Sequence, residues 1–202
     1  LICQLRLMRD RFKKMMGRSR FVVSRIFLHL AGNDVAPLLG VLNQGIRPVL
    51  DSDGDLETLG EALVEITESL LRYDDYWKSA ANEGDVVWDE GEAGDYWTEL
   101  FTDSAARYGS EVRLADSPEE TLSLPVTRNV VVMITLAAEG EVPELETDLS
   151  NVYALQAGLK AAIALHYQKR LRGIQIHFSP AAIGEELTED QILEYFPELI
   201  PL

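Results

Sequence analysis

Apolar and polar positions along the chain change period several times, and each change marks an element. Across "FVVSRIFLHLA", residues 21–31, the pattern alternates. Val22, Ser24, Ile26, Leu28 and Leu30 share one face, and Val23, Arg25, Phe27 and His29 the other. Period two predicts a strand. Beyond Gly32, where Asn33 or Asp34 can cap, Val35, Leu38, Leu39, Leu42, Ile46 and Val49 recur at helical spacing. Pro37 falls in the first turn of this helix near 35–49, where its missing N–H costs little. Asp55 can cap a second helix, near 56–77. Its stripe of Leu56, Leu59, Leu63, Ile66, Leu70, Tyr73 and Trp77 steps by threes and fours, so Trp77 is predicted as its last core residue. A third helix, near 95–108, opens at Gly94 and Asp95 and carries Trp97, Leu100 or Phe101, Ser104 and Tyr108 down one face.

In "ADSPEETL", Ser117 can cap, Pro118 suits the first helical position, and Glu120 completes a capping box. Residues 129–138 are apolar on both faces and predict a strand covered on two sides. Asp148 or Ser150 can cap a helix near 149–170, on which Val152, Leu155, Leu159, Ala162 and His166 align. Lys169, Arg170 and Arg172 complement the dipole at its end. A strand near 173–179 follows, with Ile174, Ile176 and Phe178 on one face. The connection across 128–178 is long enough for a right-handed parallel crossover. Thr188 and Gln191 have capping-box spacing ahead of Ile192, Leu193 and Phe196, and Pro197 stops that short helix. The expected class is α+β: a small mixed sheet with a strand–helix–strand crossover, covered by helices.

Composition adds boundaries. A chain of 202 residues, 47% hydrophobic and 26% charged, suits one compact domain with a real core. The single cysteine, Cys3, excludes an internal disulfide and a Cys-rich zinc site. Charge is unevenly spread. The first 25 residues hold eight basic groups against Asp10 alone, a net of +7, which leaves −23 for the rest of a chain whose total is −16. The body should repel nucleic acid and anionic membrane, and the start should attract them.

Residues 1–19 are therefore read as a basic amphipathic segment ahead of one domain over 20–202. Arg6, Arg9, Arg11, Lys13, Lys14 and Arg18 are its membrane-surface candidates. One reading is an interfacial helix beside a membrane anchor. The other is a terminal helix docked on the acidic body. The chain has no apolar run long enough to span a bilayer and no secretory signal pattern. It begins with Leu and is read as a processed piece, which leaves room for a membrane anchor upstream.

Candidate chemistry is sparse. "LDSDGDLETLG" suggests a calcium loop, but with Asp51 as position one Gly54 is fourth rather than sixth, and Ala62 stands where the twelfth-position Glu belongs. Between Asp74 and Asp103 ten carboxylates face one base, Lys78. With no histidine or cysteine nearby, only a hard cation such as calcium or magnesium would suit them, and no ligand spacing recurs. A solvated acidic loop is the simpler expectation. The triplet Asp-Tyr-Trp occurs at 75–77 and 95–97, at opposite ends of different predicted helices, so the repetition is read as coincidence. His29, His166 and His177 have no Ser, Cys or carboxylate assigned to serve them.

Several stretches together resemble a known family. "SLLRYDDYWKSA" resembles a leucine-rich helix ending in an "LLRHPDYW"-like turn, and "VVVMITLAAEG" a "YIVVTLLVAAEG"-like strand. "FVVSRIFLHLAG" stands where a "SVVKLQVGLL"-like strand would, and "GIQIHFSPAAIGEELTEDQILEYFPELIPL" resembles the closing strand, capped helix and "YPEL"-like tail. These match the domain-of-unknown-function family fifteen-seventeen, which includes the plant fluctuating-light acclimation protein, over about residues 20–202. The resemblance implies a membrane anchor ahead of the domain. It supplies no catalytic residues.

The expected function is a noncatalytic domain of a membrane-tethered adaptor or regulatory protein, facing the cytoplasm or stroma. Its expected partners are a protein and a membrane surface, without nucleic acid, small-molecule substrate, cofactor or metal ligand. The alternatives are a divalent-cation-responsive module using the 74–103 stretch, and an enzyme.

Overall fold

The alternation at 21–31 forms the middle strand of the sheet. The computed structural model describes residues 19–50, 55–114, 127–180 and 185–202. β1 (Phe21–Ala31) lies between β2 (Trp77–Val87) and β3 (Asn129–Glu139). β4 (Leu171–Ser179) flanks β3, and the two-residue β5 (Ile200–Pro201) flanks β2. The class is α+β, as expected. Every strand pair among the described residues is antiparallel, so the sheet is not mixed.

The expected parallel crossover is thereby corrected. β4 starts beside the end at which β3 leaves: Ala138 pairs with Leu171, and Glu139 N–H donates to Arg170 O at 2.9 Å. The loop 140–151 first carries the chain away, and α4 (Val152–Tyr167) brings it back. Asn82, in mid-β2, holds that loop by donating to Thr147 O (2.9 Å) and accepting from Leu149 N–H (2.8 Å). A long loop plus a helix can thus return the chain to the same sheet end, which strand–helix–strand spacing alone does not reveal.

The sheet has two covered faces, giving three layers. On the first face, Val22, Ile26, Leu28 and Leu30 of β1 and Val130, Val132, Ile134 and Leu136 of β3 form one core with three helices. These are α1 (Ala36–Leu50), α2 (Leu56–Arg72) and α4. Leu63, Ile66 and Leu70 of α2 are fully buried, each worth about 1.5–3 kcal/mol of transfer free energy. On the second face, Phe21, Val23 and Phe27 join smaller clusters with α3 (Glu90–Leu114), α5 (Glu189–Tyr195) and the residues after α5.

Other expectations need adjustment. α2 ends at Arg72, not 77. A 3-10 turn over Asp74–Tyr76 follows, and Trp77 opens β2. Trp77 is still buried, with Nε1–H donating to Leu70 O at 3.1 Å, so the stripe identified a core residue in the wrong element. Residues 77–87, expected as an acidic loop, are a strand because β1 needs a partner on that side. α3 begins at Glu90 rather than 95, since the Asp89 carboxylate accepts from the N–H groups of Gly91 and Glu92. Asn151, not Asp148 or Ser150, caps α4, while Asp148 accepts from Ser150. The Thr188–Gln191 capping box is present, but Leu193 is exposed while Ile192 and Phe196 are buried. The box at Ser117 lies outside the described residues.

Candidate functional site

The second face carries the polar chemistry. Antiparallel register sets Glu83, Arg25, Thr135 and Gln175 in one row across β2, β1, β3 and β4. Arg25 is 2% exposed. A guanidinium stays charged at any working pH, so its burial requires acceptors on every side. Nε donates to Glu83 at 2.8 Å, and Nη1 to Leu100 O (3.0 Å) and Ser104 Oγ (2.7 Å). Nη2 pairs with Glu83 and, at 2.7 Å, with Asp103.

Arg107 extends the network. It bonds Asp103 at 2.9 Å, Tyr195 O at 2.7 Å and Glu198 at 2.6 Å. The ring of Phe27 lies 4.8 Å from the Arg25 guanidinium carbon and 5.5 Å from that of Arg107. Burial pushes the Asp103 carboxyl up, but hydrogen bonds and charge from Arg25 and Arg107 outweigh it and hold it below its ordinary value. Burial likewise opposes, and Arg107 reverses, the shift at Glu198, which also ends lowered. The network ties β1, β2, α3 and the C-terminal residues together. Its charges pair with one another, and Glu83 also lines the cleft at one end of β1 and β2.

One arrangement has the form of a nucleophile, a base and an orienting group. His29 Nδ1 lies 3.2 Å from Ser79 Oγ, and its Nε2 lies 3.1 Å from Asn129 Oδ1. Asn129 Nδ2 donates to Leu187 O at 2.8 Å, which turns Oδ1 toward the imidazole. Nε2–H then donates to Asn129, and Nδ1 accepts from the Ser79 hydroxyl. Burial lowers the pKa of His29 against the opposing hydrogen bond from Asn129, favouring this neutral form. Ser79, however, is 9% exposed and lies near the start of β2, paired with His29 on β1 and Pro201 on β5. Neither the β1–β2 cleft nor the α2–α4 groove described below reaches it. The trio reads as a clasp across β1, β2 and the start of β3.

At the β4 edge, Gln175 Nε2 lies 3.0 Å from His177 Nε2, and Phe101 packs 6.2 Å from the His177 ring. Burial and then the charge of Arg25 lower the pKa of His177. Trp97 packs across Gly173, where a Cβ would come within 3.1 Å of the indole. Among the described residues, Trp97 Nε1, Gln175 Oε1 and Ser179 Oγ are buried without hydrogen-bond partners.

Two concave features lie elsewhere. A cleft of about 400 Å³ at one end of β1 and β2 is lined by residues including Arg20, Asn82, Asp85, Glu146, Thr147 and Asp148. A groove of about 460 Å³ runs between α2 and α4, lined by Glu57, Glu61, Val64, Glu65, Glu68, His166, Tyr167 and Lys169.

The sequence-derived candidates fall variously. Arg6, Arg9, Arg11, Lys13, Lys14 and Arg18 lie outside the described residues. The carboxylates of 74–103 are dispersed over a 3-10 turn, β2 and α3. Glu83 and Asp103 bind Arg25, Asp74 accepts from Gln156, and Asp89 caps α3. Among the described residues no group of three or more His, Cys, Asp or Glu could hold a metal ion. Trp77 is core, while Trp97 is half-buried at the β4 edge. Arg25 was missed, though a charge between Val23 and Phe27 on a buried strand was its signal.

Fold and site together define a three-layer α+β domain whose described polar chemistry is mainly that of ion-pair clasps. A family model described as a protein of unknown function (DUF1517) matches residues 20–202, and the chain belongs to that family. No curated protein and no solved structure matches it. No described helix is long and apolar enough to cross a membrane.

Proposed function

We propose that the domain is a noncatalytic adaptor or regulatory module, held at a membrane and facing the cytoplasm or stroma. The observation carrying this reading is the division of charge, +7 in the first 25 residues and −23 in the rest. A basic segment beside an anionic leaflet gains about 1 kcal/mol per Lys or Arg near the surface. The same field repels the acidic body and leaves its surface free for a protein partner. The engaged state of Arg25, Arg107, Glu83 and Asp103 supports a binding role over catalysis, because those charges are committed to the fold.

Co-sedimentation with vesicles of anionic phospholipid tests the reading. The full chain should sediment at low salt and be released as salt screens the attraction. A chain with Arg6, Arg9, Arg11, Lys13, Lys14 and Arg18 changed to Gln should stay in the supernatant. Equal behaviour of the two chains would overturn the membrane role.

A further inference from the structure

We propose that the outer edge of β2, from Asn82 to Val86, takes an extended basic segment of a partner protein as a further strand of the sheet. The inference rests on the adaptor reading, of which it names the partner-binding surface, and it does not need the membrane role.

β1 pairs with β2 from Trp77 to Val87, but on the other side β5 reaches only Ser79 and Ala80. Leu202 N–H donates to Lys78 O at 3.0 Å, and Ile200 pairs with Ala80, so the backbone groups of these two β2 residues face outward. Pro201, which has no N–H to give, sits opposite Ser79, whose groups turn to β1. The same alternation turns the N–H and C=O groups of Asn82, Gly84 and Val86 outward, where no strand among the described residues meets them. Val86 N–H is bonded by the Asp85 carboxylate at 2.7 Å. Gly84 and Asp85 are exposed. β5 cannot extend to cover this stretch. Leu199 N–H turns back to Phe196 O at 3.2 Å, and Arg107 holds Glu198 at 2.6 Å on the second face.

The open edge forms one wall of the 400 Å³ cleft, and loop residues Leu145–Asp148 line the other side. Asn82 sets the separation through its bonds to Thr147 O and Leu149 N–H. Gly84 keeps the middle of the wall bare, and a Cβ there would come within 2.4 Å of Val23 O. The five residues 82–86 offer a run of roughly 17 Å. Side chains of an added strand alternate between faces. Those on the first face enter the cleft beside Val22, Val86 and Leu145. Those on the second face meet Glu83 and Asp85, the residues paired with Arg25 and Val23 of β1.

Charge selects the occupant. Arg20, which lines the cleft, is already paired with Glu146, while Glu83, Asp85 and Asp148 add negative charge. A second copy paired antiparallel on this edge sets Glu83 or Asp85 directly opposite Glu83 or Asp85, which destabilises the pairing. A segment with Lys or Arg at alternate positions reverses that sign, and apolar side chains between them fill the cleft.

A capped synthetic peptide of alternating Lys and Val is the probe, titrated into the full chain while backbone amide signals are followed by NMR. Shifts should centre on Asn82, Gly84 and Val86, and their amide hydrogens should exchange more slowly. Methylating the backbone nitrogens of the Val residues removes the ladder donors and should weaken binding by roughly tenfold or more. Methylating those of the Lys residues keeps the ladder and should be tolerated. Asp85→Lys should lose affinity for this peptide and gain it for one of alternating Glu and Val. Glu61→Lys, on α2, makes the same change in net charge and should alter neither. No binding, shifts centred elsewhere, equal effects of the two methylations, or equal effects of the two substitutions overturns the strand-edge site. Co-sedimentation with anionic vesicles reads the membrane role separately. If it fails while the peptide binds, the edge stands and the membrane role falls. If the peptide fails while the chain sediments, the edge falls and the membrane role stands.

Discussion

The two faces of the sheet solve the same problem with different chemistry. The first is closed by α1, α2 and α4 over Val, Ile and Leu side chains that carry no charge. The second places a buried guanidinium at its centre and closes α3 over it with carboxylates. Both keep water off β1. They differ in what a substitution leaves behind: on the first face a cavity, on the second an uncompensated charge. A cavity costs in proportion to its size. An orphaned charge costs according to how well water can reach it. The comparison yields substitutions that should behave differently in kind.

The largest effect is expected at Trp77. Its indole fills the first-face core and bonds Leu70 O. Trp77→Ala should lower unfolding stability by about 3–5 kcal/mol, as large aromatic truncations in cores do. Urea unfolding measures it, and a change near zero would remove Trp77 from the core.

Arg25→Ala should come next, at about 3 kcal/mol, the low end for breaking a buried pair. The low end applies because the side chains of Glu83 and Asp103 are 40% and 44% exposed, so water can resolvate them. Adding Glu83→Gln to Arg25→Ala should then cost less than the two single losses combined, as contacting partners do. Strict additivity would mean the ion pair contributes nothing.

Gly60→Ala sharpens the first-face side. Overpacking against the His166 imidazole should cost about 1–3 kcal/mol, more than the helix-propensity gain of Ala over Gly returns. His166→Ala in the same chain should recover part of the loss. No recovery would place the clash elsewhere.

The same contrast explains what could be read in advance. β1 and β3 were legible because their alternation and continuous apolar runs reflect burial on both faces. β2 was not. Its small and acidic residues carry little periodicity, and pairing with β1 imposes the strand. The threes-and-fours stripe continued past Arg72 because the 3-10 turn returns Trp77 to the same core. Arg25 could be recognised as an anomaly, but Glu83 and Asp103 lie 58 and 78 residues away and nothing local links them. The groove was invisible for the same reason. α2 and α4 meet only through the fold, and the fit of Gly60 to His166 has no counterpart in spacing.

The smallest effect concerns pH and belongs to the second face. Burial lowers the pKa of both His29 and His177 in the folded protein. The unfolded chain, with imidazoles near about 6.5, therefore binds more protons as pH falls through that value. Stability from this source is complete above the unfolded value and is lost as pH drops below it. Asp103 and Glu198, also lowered, add a second loss as pH falls from the unfolded carboxylate range through their folded values. Urea midpoints between pH 8 and pH 3 should therefore fall in two stages, the first centred on the histidines. His29→Gln with His177→Gln should flatten the first stage and leave the second. Trp77→Ala, on the other face, should lower the whole curve and leave both stages in place. A midpoint that rises between pH 7 and pH 5 would reverse the sign and mean that these imidazoles are stabilised as cations in the fold. The polar face would then be held by histidine charge as well as by Arg25.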